Sequence, residues 1–143
     1  KDLSVPNFKE FLVSFKPSES YNQAYIYLFN YYLENNLIDS LDLMIEKSKF
    51  NSKDKNIEAS LNMMYGDYYL RKDETDKAIS NYKKAIKSFT IKDRIIYTKI
   101  KLCMLYEDLK MFDDFTKLFS TIEYDSITDF QLKSLYEQIS IKN

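Results

Sequence analysis

Shifting this 143-residue sequence against itself by 37 positions brings Tyr32, Tyr69 and Tyr106 into one column, with Leu28, Tyr65 and Leu102 aligned one helical turn earlier. Asp39, Asp76 and Asp113 fall in step. So do Leu41, Ala78 and Phe115, then Ile45, Tyr82 and Phe119, then Ser48, Ala85 and Ile122. Most of these columns stay apolar through three copies without a gap. A fixed offset in the range of roughly 20 to 50 residues marks folds that stack one small unit on the next.

Within a copy the apolar residues recur at spacings of three and four, as in Tyr65 and Tyr69 followed by Ala78, Tyr82 and Ala85. That pattern gives one face to each of two helices. The connection between them is short and polar, Glu34 to Asn36 in the first copy and Arg71 to Glu74 in the second. An acidic residue then opens the following helix, where it favours the positive end of the helix dipole. Strands joined by tight turns would need far more than the 1 Gly and 2 Pro present. The chain therefore reads as all-α, built of helical hairpins that bury their apolar faces by stacking on neighbours.

The segment from Ala59 to Lys92 resembles a tetratricopeptide repeat, because Gly66, Tyr69, Ala78, Tyr82 and Ala85 occupy the family's small, aromatic, small, aromatic and small positions. Gly66 and Ala78 would stand where the two helices of the hairpin approach closely. The flanking copies depart from the pattern: Phe29 and Cys103 replace the Gly, and Leu41 and Phe115 replace the Ala. The family's late Pro is replaced by Lys53, Thr90 and Ile127, and the period exceeds the family's usual one, which predicts a longer connection between repeats. The resemblance implies a right-handed α-solenoid in a single domain, with hairpins over about 22–58, 59–95 and 96–131.

Two further helices are expected at the ends, for about eight in all. Phe8, Phe11, Leu12 and Phe15 follow Pro6 at i, i+3, i+4, i+7, the pattern of a capping helix over about 6–16. Phe130, Leu132, Leu135, Tyr136 and Ile139 form a last helix over about 129–141, opened by Asp129 or Thr128.

The residue inventory excludes most chemistry. Histidine is absent and Cys103 is the only cysteine, so neither a nucleophile with an imidazole base nor the usual zinc or haem ligand set can be assembled. Cys103 falls in the Gly66 column and reads as packing. Glu107-Asp108 and Asp113-Asp114 are adjacent pairs, which diverge on a helix and suit a solvated helix end. The single Gly66 lies inside a helix, so there is no phosphate-cradling loop. No catalytic residue, metal or cofactor is expected. A net charge of -1 gives no field for phosphate-backbone binding, and the clustered tyrosines sit at helix-packing spacings, so nucleic acid is not the expected partner. The most apolar stretch, Ile95 to Tyr106, carries Lys99 and Lys101 and is shorter than the roughly 20 residues of a membrane span.

The remaining role is binding another polypeptide. In the tetratricopeptide-repeat family the first helix of each hairpin lines a concave wall. The resemblance puts Ile26, Tyr27, Asn30, Met63, Met64, Asp67, Tyr97, Ile100, Lys101 and Met104 there. Met and Tyr at these positions would make an apolar groove for a peptide or an amphipathic helix; the alternative is that they pack against neighbouring helices. Some members clamp a terminal carboxylate with Lys, Arg and Asn on this wall. Asn30 and Lys101 match two clamp positions, whereas Ile26, Met64 and Tyr97 occupy others, so the clamp is not carried over. A non-enzymatic protein-interaction scaffold is the leading expectation. The alternative is the peptide-sensing part of a larger bacterial transcriptional regulator or kinase, with which a chain starting at Lys1 is compatible. Exposed apolar edges leave homodimerisation open.

Overall fold

The structure is a computed structural model that describes Glu10 and residues 15–142. Phe8, Phe11 and Leu12, on which the N-terminal capping helix rests, lie outside the described residues. Among the described residues the fold is all-helical: α1 (Glu19–Glu34), α2 (Ile38–Glu46), α3 (Lys55–Arg71), α4 (Thr75–Ser88), α5 (Lys92–Asp108), α6 (Phe112–Phe119), a short 3-10 turn at Tyr124–Ser126 and α7 (Phe130–Lys142). Helices adjacent in sequence pack in pairs, α1 with α2, α3 with α4 and α5 with α6, and α1 also packs on α3 and α5 on α7.

The 37-residue register has a backbone counterpart. Asn36, Asp73 and Lys110 adopt left-handed conformations, with φ of 54°, 57° and 58°. At each turn the third residue past the helix reaches back to a tyrosine carbonyl: Leu37 N–H to Tyr32 at 2.9 Å, Glu74 to Tyr69 at 2.9 Å and Met111 to Tyr106 at 2.8 Å. The left-handed residue itself donates to Leu33, Leu70 and Glu107, at 3.1, 3.1 and 3.0 Å. These are the two bonds of a Schellman termination, which satisfies carbonyls the helix end would leave free. The same bonding lets the next helix start within three residues. It starts with Asp39, Asp76 or Asp113 in its first turn, where the dipole favours them. Glycine, the usual occupant of such a turn, is used at none of the three.

The one glycine serves packing instead. A Cβ on Gly66 would lie 2.5 Å from Tyr82 Cε1, so the Tyr82 ring rests directly on the α3 backbone. In the 37-residue register the Gly66 and Tyr82 positions are held by Phe29 and Ile45 in the first hairpin and by Cys103 and Phe119 in the third. Two clusters result. The first gathers Tyr21, Tyr25, Leu28, Phe29, Leu41 and Met44 with Leu61, Met64 and Tyr68 of α3. The second gathers Ala59 and Met63 of α3 with Ala78, Tyr82, Ile100, Cys103, Phe115 and Ile139 among others. Apolar residues on both flanks of α3 let it serve both clusters.

Two asparagines tie the chain between hairpins back to a preceding helix. The Asn22 amide donates to Asn51 O at 2.9 Å and accepts from Asn51 N at 3.2 Å. The Asn56 amide donates to Thr90 Oγ1 and accepts from Thr90 N, each at 2.8 Å. The long connection expected between repeats occurs once, over 47–54. The next, over 89–91, is short because α4 continues its apolar face through Ala85 to Phe89. α2 stops before the column is reached at Ser48, where there is no apolar side chain to bury. At the C-terminus, Asp129 Oδ1 caps α7 by accepting from Leu132 N at 3.0 Å. Leu132 and Ile139 bury against the third hairpin and Tyr136 stacks on Phe119 with centroids 4.7 Å apart, while Phe130 points to solvent.

Two substitutions test this account. Gly66→Ala should destabilise by about 1 to 2 kcal/mol in urea titrations despite alanine's higher helix propensity, because crowding the Tyr82 ring outweighs that gain. The penalty should shrink when Tyr82 is shortened to Leu. Lys110→Gly should stabilise by about 0.5 to 1 kcal/mol, since it relieves the left-handed strain of a side chain that has no local hydrogen-bonding use for it.

Candidate functional site

The first helices of the hairpins, α1, α3 and α5, line one solvent-facing concavity of about 590 Å³. Gln23, Ile26, Tyr27 and Asn30 come from α1, Ser60, Met63, Met64 and Asp67 from α3, and Arg94, Tyr97 and Lys101 from α5. Eight of the ten residues expected on a common wall therefore do meet in one place. The other two do not: Ile100 is 1% exposed, inside the second cluster, and Met104, at 46% exposure, faces solvent outside the concavity. Met63 and Met64 reach its floor but are only 8% and 7% exposed, because each also fills one of the two clusters beside α3. The methionines are therefore mainly packing, while Tyr27, at 63% exposure, is mainly surface.

The wall is consequently mixed and not strongly apolar. Gln23, Ser60 and Arg94 join it, and all three were missed by the sequence argument. The repeat register contains two of them, since Gln23 and Ser60 are 37 residues apart and Tyr97 lies 37 beyond Ser60. Extending the columns one turn toward the helix starts finds them. Arg94 sits one helical turn before Tyr97 and Thr98, and its backbone carbonyl accepts from Thr98 Oγ1 at 2.7 Å.

At the centre of the wall the Asp67 carboxylate accepts Lys101 Nζ at 2.7 Å and the Tyr82 hydroxyl at 2.5 Å. Lys101 also lies over the Tyr82 and Tyr97 rings, 5.8 and 5.9 Å from their centroids. Burial first, and then the neighbouring Asp67 charge, push the Tyr82 hydroxyl well above its ordinary range, so it remains a proton donor to Asp67. Asn30 donates to Glu34 at 3.1 Å. Neither of the two residues matching the carboxylate-clamp positions is therefore free in this state. Arg94 is different. It is exposed, its guanidinium lies 5.4 Å from the Phe89 ring, and it makes no ion pair among the described residues.

Beyond Arg94 and Tyr97 the wall continues into a smaller hollow of about 240 Å³, bounded by Asp129, Gln131, Leu132 and Leu135 of the α7 region. α7 thus borders the concavity from one end and contributes no residue to the larger hollow. Among the described residues, no group of three His, Cys, Asp or Glu side chains is placed to hold a metal ion, and no helix is long and apolar enough to cross a membrane. No protein-family model matches the chain, and comparisons with curated proteins and with solved structures return no match.

Cys103 packs in the second cluster beside the helix pair, and burial pushes its thiol up to about 12. The thiolate is the nucleophile, so a thiol buried in apolar surroundings is inert. In the folded protein Cys103 should not react with a thiol-specific chromogenic reagent at pH 8, and it should react quantitatively once urea unfolds the chain.

Proposed function

We propose that this chain is a non-catalytic binding module, a solenoid of tetratricopeptide-like hairpins that holds a partner's peptide or amphipathic helix against the α1, α3 and α5 wall. The observation that carries the reading is the convergence on one concavity of side chains from three helices related by the 37-residue repeat. Exposed Tyr27 and half-buried Ile26 and Tyr97 offer contact area to apolar side chains. Gln23, Asn30 and Ser60 offer donors and acceptors to the peptide backbone. Arg94, with no carboxylate partner among the described residues, suits an acidic side chain or a terminal carboxylate. The absence of histidine from the sequence and the inert environment of Cys103 favour binding over covalent chemistry. The module fits a free-standing scaffold or a peptide-sensing segment of a larger regulator equally well.

Burial decides which substitutions can test this. Met63→Glu would place a charge in a core cluster, so its effects would report folding. Tyr27→Glu with Arg94→Glu changes only exposed side chains and should leave the helical circular dichroism intact. A phage-displayed peptide library selected on the wild-type chain should yield enriched peptides that lose at least about tenfold in affinity on the double variant, roughly what two contacts of this kind are worth. Peptides retained equally by both proteins, or no enrichment at all, would remove the concave wall as the binding site.

A further inference from the structure

A second cleft lies between α4, α5 and α6 and shares no residue with the concave wall. It holds about 490 Å³ and is floored by buried Leu102 and Tyr106 and half-buried Ile86 and Leu118. Exposed lysines stand on both rims, Lys83 and Lys87 on α4 and Lys117 on α6. Among the described residues none of the three makes an ion pair, whereas the lysines at 47, 72, 77 and 101 all do. Asp114 is the single carboxylate on the rim, so the cleft keeps an excess of positive charge in a chain whose net charge is -1.

We infer that this cleft docks an acidic amphipathic helix from a partner protein. The apolar floor needs an apolar stripe to cover it. Lysines on both sides of that floor need carboxylates on both flanks of the stripe. Lys83 and Lys87 are one helical turn apart, the spacing at which i, i+4 carboxylates of a second helix can meet them. The cleft is walled by helices whose backbone groups are bonded internally, so it offers no strand edge to an extended chain. A bound segment must satisfy its own backbone, and a helix does so.

The test uses a fluorescently labelled helical peptide with a leucine stripe flanked by glutamates, and the same peptide with the glutamates changed to lysine, read by fluorescence anisotropy. The acidic peptide should bind, weakening as salt is raised, and the lysine peptide should not. Lys83→Glu, Lys87→Glu and Lys117→Glu together should cut affinity about tenfold or more, since rim charges contribute modestly one by one. Circular dichroism on this variant checks that the fold is kept. Tyr27→Glu with Arg94→Glu should leave this affinity unchanged, which separates the cleft from the concave wall. Ile86→Ser, at a half-buried position, should weaken binding at every salt concentration. Equal binding to wild type and the triple-lysine variant would overturn the inference, as would failure of the acidic peptide to bind. Capture of the chain on phosphatidylserine vesicles, lost in the triple variant while the peptide shows no binding, would also overturn it and reassign the lysines to a lipid surface.

Discussion

The contact between the Tyr82 ring and the bare backbone of Gly66 joins the core of this molecule to its candidate site. The ring can lie on α3 only because position 66 lacks a Cβ, which would come within 2.5 Å of it. Lying there, its hydroxyl reaches Asp67, one residue further along the same helix, and Asp67 in turn holds Lys101 of α5 at 2.7 Å. A close approach inside one hairpin thereby sets a charged pair on a surface shared with the next hairpin. The chain of contacts also explains why Tyr82 could not be exchanged for phenylalanine without consequence. Packing would survive, but the half-buried Asp67 would lose one of its two partners and keep only Lys101.

Around that contact, regularity comes from the backbone more than from side chains. The flanking hairpins replace both small residues of the central one, yet all three turns keep the same left-handed residue and the same reach back to a tyrosine carbonyl. Side-chain volume varies along the register, with Phe29 and Ile45 in the first hairpin at the positions that Gly66 and Tyr82 hold in the second. Turn geometry cannot vary in this way, since the angle at which the second helix leaves decides where its apolar face lands. The tyrosine column at 32, 69 and 106 was visible as a packing pattern. Its carbonyls, which close the turns, were not.

This sets how much could be read before the structure. The all-helical class, the hairpin boundaries at Glu34 and Arg71, and a cap for the last helix at Asp129 or Thr128 follow from periodicity and capping chemistry, both local properties of sequence, and the structure uses Asp129. Eight residues of the concave wall were reachable only through the resemblance, which names the first helix of each hairpin as the wall and lets the 37-residue register carry that face from copy to copy. Burial of Met63, Met64 and Ile100 was one of two readings open for the wall residues, and which of them it applied to was not reachable. Each sits at a position where the helix is covered by a neighbour on its flank, and the depth of that cover depends on how closely α1, α3 and α5 approach. The unequal connections between hairpins were hidden for a similar reason. A constant period of 37 conceals a trade between helix length and loop length, with α2 short and its loop long and α4 long and its loop short.

Net charge was the least informative sequence quantity for surfaces. A value of -1 suggests a neutral molecule, and as a statement about long-range field it is sound. It says nothing about how the charges are grouped. Folding pairs Lys72 with Asp42, Lys77 with Glu74 and Lys101 with Asp67, and among the described residues leaves Arg94, Lys83, Lys87 and Lys117 without an ion pair at the margins of two hollows. Screening confines interactions between exposed charges to roughly 8 to 10 Å at physiological salt, so an incoming segment senses these local groups and not the total. A chain of nearly zero net charge can therefore present two cationic margins at once. The concave wall sets its arginine beside amides and a hydroxyl, while the second cleft sets its lysines beside an apolar floor, so the two hollows differ in the chemistry they expose.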